Sequence, residues 1–249
     1  MTESGAVRVE RSQKRLRTYL GGELVVDTTA PLLVWEKRSY PTYYVPQADV
    51  AMQLLAASDT IDDSSDLGEA RFWTVKTARA QAEDAARQYP ESPTDEIREA
   101  IRFDWNAMDS WFEEDEEVFV HPRDPHKRID ALHSSRRVVV EIDGVTVADC
   151  ARPVVLFETG LPARYYLPKT DVRMELLLPS DNLTRCPYKG VAEWYSVSVD
   201  GKTYEDFVWW YRNPAHESAA IAALVAFYNE KVDLIIDGVR QDRPVTQFS

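Results

Sequence analysis

The chain has 249 residues, of which 44% are hydrophobic, and it carries a formal net charge of −13. This is the composition of a folded globular protein with enough length for one large domain or two modest ones. It contains no apolar run approaching the ~18 residues of a membrane span, which argues against a membrane, and its acidity argues against a nucleic-acid partner.

The N-terminus and the cysteine content predict a cytoplasmic protein. Residues 1–4 are followed by charged side chains such as Arg8 and Arg11, where a secretory signal would place its apolar stretch. Cys150 and Cys186 are the two cysteines in the chain, so no disulfide framework supports the fold. A single bridge between them is left open.

The sequence is a tandem duplication. When Gly22 is aligned with Gly144, identities continue without a gap as far as Tyr89 and Tyr211. Self-similarity at one fixed offset predicts two copies of one domain, residues 1–125 and 126–249. The matched pairs include Asp27 with Asp149, Glu36 with Glu158, Tyr43-Tyr44 with Tyr165-Tyr166, Asp49 with Asp171, and Gly68 with Gly190.

The first copy is predicted to be rich in β-strands. Residues 15–20 form a strand that turns at Gly21-Gly22, and the apolar residues 32–35 form a buried strand. A strand with Tyr43-Tyr44 follows. Asp49 is expected to cap a short helix, because a carboxylate accepts hydrogen bonds from the amides of a first turn.

The acidic residues 113–117 and the proline-bearing stretch after them lie between the copies. The simplest interpretation is a solvated linker over residues 113–125, with the domain boundary near Pro125. A metal site from His121 and His126 is a weaker alternative, because two imidazoles on a proline-rich loop do not define a coordination geometry.

The second copy repeats the same order of elements, with strands dominant and little helix. An Asp-Gly dipeptide tolerates the positive φ angles of a tight hairpin turn, which predicts two hairpins. In chain order we expect a hairpin of residues 136–142 and 145–148 around Asp143-Gly144, a buried strand 154–157 ending at Glu158, a short helix capped by Asp171 and carrying Met174, Leu176 and Leu177, a hairpin from Trp194 through Asp200-Gly201 to Trp209, a helical or mixed segment 221–228, and a closing strand 232–236.

The copies differ most in one loop. Residues 184–190 read Thr-Arg-Cys-Pro-Tyr-Lys-Gly, whereas residues 62–68 of the first copy share only the final glycine. The shared glycine indicates that the backbone conformation of this turn requires Gly68 and Gly190. The other residues of the 184–190 loop are not required for folding, because the first copy lacks them. This contrast indicates that the second copy carries a functional loop.

The residue types in this loop support several chemistries. An ammonium three positions away can stabilise the Cys186 thiolate as a nucleophile, and Lys189 is equally suited to hold a carboxylate or phosphate. Tyr188 and Glu158 are candidates for proton transfer. The structural alternatives are a buried apolar Cys186, a solvent-facing Lys189, and an ion pair of Glu158 with an arginine such as Arg137, or Arg15 in the first copy.

Aromatic residues on neighbouring predicted strands are candidates for substrate binding. The first copy has Arg87 at the position of Trp209, so the fold does not require a tryptophan there. Alternation along the strands predicts an aromatic cage for a flat or cationic ligand, with core packing as the alternative. The predicted substrate-binding residues are Arg164, Tyr165, Trp194, Tyr195, Trp209 and Tyr211.

These motifs resemble domain of unknown function family 427, and the resemblance covers nearly the whole chain. The first copy and its acidic segment resemble the family's two-domain bacterial members. The first copy departs from the family pattern in the loop and at Arg87, where the family has tryptophan. The residues that carry the resemblance are Gly144, Val147-Ala148-Asp149, Glu158, Tyr165-Tyr166-Leu167-Pro168, Asp171-Val172, the 184–190 loop and Val225-Ala226-Phe227-Tyr228.

The resemblance implies a mainly β fold of two tandem β-tent-like domains, built from antiparallel hairpins with short helices. Such domains are similar to methionine sulfoxide reductase B and the thalidomide-binding domain of cereblon, which commonly join two hairpins with zinc. This chain lacks a Cys-x-x-Cys pair, which excludes a four-cysteine zinc site. A nucleotidyltransferase label attached to the family is discounted, because a Gly-Ser loop followed by Asp-x-Asp is missing.

Three functions are open at this stage. The first is an enzyme that acts on a small organic molecule in the second copy, with Cys186 or Lys189 as the reactive group. The second is a non-catalytic module with an aromatic cage, and the third is a structural protein whose first copy forms an interface. The contrast between the copies favours a small-molecule site, and catalysis over binding alone. No metal or cofactor is predicted, and the oligomeric state is not assigned.

Overall fold

The computed structural model describes residues 7–37, 39–63, 65–246 and 249, and this part of the chain is built mainly of β-strands. The chain divides between Asp124 and Pro125 into two compact units. Within the described residues, each unit holds one seven-stranded and one four-stranded antiparallel sheet. The predicted fold class, a mainly β chain of two repeated halves, is confirmed. Residues 1–4, used in the N-terminal argument, lie outside the described residues.

The strands of the first unit form two sheets with the orders β1-β4-β5-β9-β8-β7-β6 and β11-β10-β2-β3. They are β1 (Arg8–Arg11), β2 (Leu16–Leu20), β3 (Glu23–Thr28), β4 (Leu32–Trp35), β5 (Thr42–Pro46), β6 (Leu55–Asp62), β7 (Ala70–Lys76), β8 (Gln81–Gln88), β9 (Ala100–Phe103), β10 (Ser110–Glu113) and β11 (Glu116–Val118).

The second unit repeats this topology with the orders β12-β15-β16-β20-β19-β18-β17 and β14-β13-β21-β22. Its strands are β12 (Ile129–His133), β13 (Val138–Ile142), β14 (Val145–Cys150), β15 (Val154–Glu158), β16 (Arg164–Leu167), β17 (Leu177–Cys186), β18 (Gly190–Val199), β19 (Lys202–Tyr211), β20 (Val225–Phe227), β21 (Asp233–Ile236) and β22 (Val239–Arg240).

The predicted hairpins of the second unit are present where the Asp-Gly turns place them. Strands β13 and β14 pair on either side of Asp143-Gly144, and β18 and β19 pair around Asp200-Gly201. All four turn residues have positive φ, as this kind of tight turn requires. The closing strand is also present as β21.

The helical content consists of short 3₁₀ turns, and here the sequence expectations need correction. Asp49 and Asp171 each end such a turn and cap no helix: Asp49 accepts from the Thr28 hydroxyl, and Asp171 pairs with Arg152. Residues 221–228 lie mostly in strand β20 and its flanks. The 3₁₀ turns are Gln47–Asp49, Met52–Leu54, Asp95–Ile97, Trp105–Ala107, Lys169–Asp171, Met174–Leu176 and His216–Ile221.

Each large sheet packs apolar side chains on both of its faces. Along β19, Val208 and Trp210 belong to the core shared with the small sheet, whereas Trp209 and Tyr211 belong to a second cluster. Successive side chains of a strand point to opposite faces, so this alternation separates the two clusters. Burying each large side chain contributes about 1.5–3 kcal/mol. No helix of the described residues combines the length and apolarity needed to cross a membrane.

The acidic run at 113–117 is not a linker, which corrects the sequence prediction. Glu113 ends β10 and Glu116 begins β11, so the run forms the turn of a hairpin in the small sheet of the first unit. The Glu113 carboxylate is buried, accepting hydrogen bonds from the Tyr43 hydroxyl at 2.6 Å and from Lys14 Nζ at 2.7 Å. These two partners lie far away in the sequence, so residue type alone could not identify them.

This difference predicts unequal effects of two substitutions in the acidic run. Glu113→Ala leaves the buried Tyr43 hydroxyl without its acceptor and should lower the free energy of unfolding by about 2 kcal/mol. Glu117→Ala removes an exposed side chain and should change it by less than about 0.5 kcal/mol. Urea unfolding of both variants measures this, and equal effects would support the linker interpretation.

Candidate functional site

The loop that distinguishes the second copy closes the β17–β18 hairpin, where Cys186 pairs with Gly190. Gly190 has φ +94°, and a Cβ there would lie 3.3 Å from the carbonyl oxygen of Asn213. Gly68 has the same conformation, with φ +97° and a Cβ position 3.4 Å from the carbonyl oxygen of Glu91. The backbone explanation for both glycines is therefore confirmed.

The loop is fixed to the segment that follows β19. The backbone amide of Ala215 donates to the carbonyl oxygen of Lys189 at 3.1 Å, and the buried Ser218 donates from its hydroxyl to that of Tyr188 at 3.4 Å. Tyr188 thus contributes its main chain to the position of the loop. The side chains of Cys186 and Lys189 are presented from a turn that is held at both ends.

Lys189 forms an ion pair with Glu158, the carboxylate at the end of β15. Its ammonium donates directly to Glu158 Oε2, and the two side chains are only 12% and 8% exposed. The expected structural ion pair exists, but its partner is neither Arg137, which pairs with Asp149, nor Arg15, which pairs with Asp27. The expectation of a solvent-facing Lys189 is also wrong.

The ion pair keeps Lys189 charged. Burial lowers the pKa of the ammonium, but the electrostatic effects of Cys186 and Glu158 and the hydrogen bond to Glu158 outweigh burial and raise the pKa above its ordinary value. A lysine in this state is a permanent cation. It is suited to stabilising an anion and not to attack as a neutral amine.

Two buried tyrosines belong to the same electrostatic cluster. Tyr166 is fully buried and accepts a hydrogen bond from Trp209 Nε1 at 3.1 Å. Burial raises its pKa to about 12, and burial also raises the pKa of Tyr211 well above the ordinary value, with further contributions from the charges of Cys186 and Glu158. No described residue accepts a hydrogen bond from either hydroxyl, so both protons remain available as donors.

The two cysteines are free and differ in environment. Cys150 is buried in the core, and burial raises the pKa of its thiol to about 11. Cys186 is half-buried at the end of β17, close enough to Lys189, Tyr166 and Tyr211 to influence their ionisation. Cys186 is therefore not the fully buried apolar side chain of the structural alternative.

The aromatic residues form a packed cluster whose rings touch one another. The ring centroids of Trp194, Trp209 and Tyr228 are 4.9–5.6 Å apart, which is contact distance. The guanidinium of Arg164 lies 5.7 Å from the Trp209 ring and 6.0 Å from the Tyr228 ring. A cation of the protein itself therefore occupies the position that the cage hypothesis gave to a ligand.

Arg164 is held by a partner that the sequence analysis missed. Glu230 accepts two hydrogen bonds from its guanidinium, at 2.6 and 2.7 Å, and both residues are buried. The sequence does show an acidic residue beside the apolar strand 232–236 and an arginine at the start of a buried strand. Neither observation identifies the pair, because 66 residues separate its members.

The structure does not bring all predicted site residues together. Tyr165 and Tyr195 lie on the opposite face of the large sheet, where Tyr195 stacks on Trp210 and accepts a hydrogen bond from Lys169 at 3.1 Å. The predicted substrate-binding set is therefore divided between the two faces of the large sheet. Those that share the face of the loop are Glu158, Arg164, Lys189, Trp194, Trp209 and Tyr211, together with the unpredicted Tyr166, Tyr228 and Glu230.

The first domain neutralises the equivalent carboxylate in another way. Glu36 accepts hydrogen bonds from the Tyr44 hydroxyl at 3.0 Å and from Arg102 Nε at 2.9 Å. Arg102 and Arg87 both pair with Asp104. The tyrosine and the glutamate are common to both copies, whereas the cation comes from β9 in the first and from the loop in the second.

No group of three or more His, Cys, Asp or Glu side chains suited to hold a metal ion occurs in the described part of the chain. His121 stacks on Tyr40 at 4.2 Å, in a contact between two rings of the first domain. His216 is exposed at the start of a 3₁₀ turn.

Comparison with known protein families gives two matches to one model. The model described as "Domain of unknown function (DUF427)" matches residues 8–114 and again residues 130–238, one match in each unit. No curated protein matches the chain.

The close approach at Gly190 predicts a larger cost of alanine there than at a glycine of similar φ in open space. Gly160 has φ +81° and nothing within 4 Å of its Cβ position, so Gly160→Ala should cost about 1 kcal/mol from backbone strain alone. Gly190→Ala adds the contact with Asn213 and should exceed that value measurably. Thermal unfolding of both variants tests this, and identical stabilities would contradict the role of the contact.

The buried pair of Arg164 and Glu230 predicts a non-additive pair of substitutions. Arg164→Met leaves the Glu230 carboxylate buried without its cation and should destabilise the domain by about 3 kcal/mol. The double variant Arg164→Met/Glu230→Leu removes both charges and should be more stable than Arg164→Met alone. Urea unfolding at neutral pH measures all three proteins.

The same pair predicts a loss of stability in acid. Burial alone would raise the pKa of Glu230, but hydrogen bonds from Arg164 and Thr246 lower it below its ordinary value of 4.5. The resulting stabilisation is complete above the unfolded-state pKa, and it is lost as the pH falls through the lower folded-state pKa. As the pH falls below about 4.5, the wild type should therefore lose more stability than the double variant, and parallel pH profiles would contradict this.

Proposed function

The chain belongs, through both of its halves, to the family described as domain of unknown function DUF427, and on this premise we propose that its second domain binds and acts on a small organic molecule. The proposed site is the Cys186–Gly190 loop and the carboxylate beside it. Cys186 is the reacting group, and Lys189 is a fixed positive charge next to it.

One contrast between the domains carries the proposal. In the first domain, Glu36 Oε1 accepts hydrogen bonds from Tyr44 and Arg102, and both Arg102 and Arg87 pair with Asp104. In the second domain, the equivalent carboxylate binds a lysine from the variable loop instead, and the hydroxyl protons of Tyr166 and Tyr211 have no acceptor among the described residues. Each hydroxyl can therefore donate a hydrogen bond to a ligand.

The chemistry follows from the charge states. Lys189 stays protonated, so it supports the thiolate of Cys186 or an anionic group of a substrate and does not form an imine. A thiolate that adds to an electrophilic carbonyl carbon forms a sulfur–carbon bond and moves an electron pair onto the oxygen. The ammonium and the two phenol hydroxyls are the donors available to stabilise that oxygen.

The alternative of an aromatic cage for a cationic ligand has less support. Trp194, Trp209 and Tyr228 contact one another, and Arg164 already lies against two of these rings. A ligand cation would have to displace an arginine that makes two hydrogen bonds to a buried carboxylate. The role of the rings is therefore to pack the face on which the loop rests.

The first experiment measures the rate at which iodoacetamide alkylates Cys186 between pH 5 and 9. Cys150, which is buried, is the internal reference within each protein, and peptide mass spectrometry separates the two sites. We expect Cys186 to react at least about tenfold faster than Cys150 at pH 7, because it is more exposed and lies beside an ammonium.

Paired variants separate the charge of Lys189 from its packing. Glu158→Gln frees the ammonium from its carboxylate and should accelerate alkylation of Cys186. Glu158→Gln/Lys189→Met removes the ammonium without leaving a buried charge and should slow alkylation about fivefold or more relative to Glu158→Gln. Lys169→Met, on the opposite face of the sheet, is the matched control and should have no effect. Cys186 rates that are the same in all variants, or as slow as Cys150, would refute the assignment of the reacting group.

A further inference from the structure

The first domain contains a cavity of about 140 Å³ whose lining includes several aromatic side chains. It lies between the β4–β5 connection, the β9–β10 connection and residues 120–122 of the same domain. The residues that matter for its chemistry are Tyr40, Tyr43, Trp105 and Trp111, with Glu36 and Arg102 at one side.

Two pairs of stacked rings line the cavity. The rings of Trp105 and Trp111 stack with a centroid distance of 4.9 Å and an angle of 9°, and the Tyr43 ring lies 5.8 Å from Trp111 at 29°. On another side, Tyr40 stacks on His121 at 4.2 Å and 12°. Flat apolar walls of this kind select a flat ligand, because a planar ring makes full contact with their faces.

Polar groups at one side of the cavity retain unused hydrogen-bonding positions. Tyr44 and Arg102 both donate to Oε1 of Glu36, and neither Glu36 Oε2 nor Arg102 Nη2 bonds to a described residue. The side chains of Glu36 and Arg102 are 22% and 18% exposed. This side of the cavity therefore offers one acceptor and one donor next to each other.

The walls are held in place before any ligand arrives. Trp111 Nε1 donates to the carbonyl oxygen of Trp105 at 3.1 Å, and the Tyr43 hydroxyl donates to the buried Glu113. Val120 has φ +71°, an unfavourable conformation for a β-branched residue, and it precedes the segment that closes the cavity. Strain of this kind persists where the surrounding structure enforces a particular backbone path.

The duplication provides an internal comparison. The second domain has a cleft of about 180 Å³ at the equivalent place, lined by Pro162, Tyr165, Asn229 and Leu234. Tyr43 corresponds to Tyr165, but Tyr40, Trp105 and Trp111 correspond to Pro162, Asn229 and Leu234. The position of the cleft is thus a property of the fold, whereas the aromatic lining belongs to the first copy.

We propose that this cavity of the first domain, here called the aromatic cavity, binds a planar molecule of one aromatic ring that carries a carboxamide-like group. A cavity of about 150 Å³ accommodates a benzene-sized molecule, which sets the size of the ring. The aromatic walls contact the ring, Glu36 Oε2 accepts from the amide N–H, and Arg102 donates to the amide oxygen. The site is independent of the reaction proposed for the second domain.

The test uses the full chain labelled with ¹⁵N and benzamide as the probe. We expect the indole N–H signals of Trp105 and Trp111 to shift saturably, with a Kd on the order of 1 mM for so small a ligand. The signals of Trp194 and Trp209 in the second domain should stay in place. Cyclohexanecarboxamide, which has the same polar group on a saturated ring, should bind at least about tenfold more weakly.

Three variants test whether benzamide binds in the aromatic cavity. Trp105→Ala and Tyr40→Ala, both at half-buried positions, should each weaken benzamide binding about tenfold or more, and unfolding midpoints and the remaining indole signals show that each variant is folded. Asn229→Ala changes the residue equivalent to Trp105 in the second domain and should leave the affinity unchanged. No saturable shift up to about 20 mM benzamide, equal binding of the saturated analogue, or unchanged affinity in both aromatic variants would overturn the proposal.

Discussion

A carboxylate placed at the end of a buried strand has to be neutralised, and much of the difference between the two domains follows from how this is done. Glu36 and Glu158 occupy the same place in the duplicated fold, beside a buried tyrosine of the next strand. Removing a carboxylate from water without a cation costs several kcal/mol. Each domain therefore places a cation beside this carboxylate. The cation lies on strand β9 in the first domain and in the β17–β18 loop in the second.

In the first domain the cation is Arg102 of β9, which extends into a network with Asp104 and Arg87. Arg87 lies over the Phe72 ring at 5.1 Å, so a charged side chain takes the place that Trp209 has in the second domain. This network uses Glu36 Oε1 together with Arg102 Nε and Nη1, and it leaves Glu36 Oε2 and Arg102 Nη2 without a partner among the described residues.

In the second domain the cation is Lys189, which reaches the carboxylate from the tip of a hairpin loop. The loop is positioned by Gly190 and by its contacts with the segment after β19. Cys186 and the hydroxyls of Tyr166 and Tyr211 lie in the electrostatic neighbourhood of this ion pair. The equivalent carboxylates thus have different surroundings: Lys189 and Cys186 in the second domain, and the arginine network and the aromatic cavity in the first.

The sequence by itself determined the duplication, the dominance of strands, the Asp-Gly hairpins and the glycines of the variable loop, because each rests on a local rule of backbone conformation or on direct self-comparison. The tertiary structure alone decided which face of the large sheet holds each aromatic residue, so that Tyr165 and Tyr166 separate. It also decided the partners of the buried charges: Glu113 with Tyr43, Glu158 with Lys189, and Arg164 with Glu230. These pairs join residues between 31 and 70 positions apart, and a charge imposes no periodicity on the chain that would reveal its partner. Local propensity fixes strands and turns, whereas the burial of each charge beside its counter-ion depends on how the sheets close.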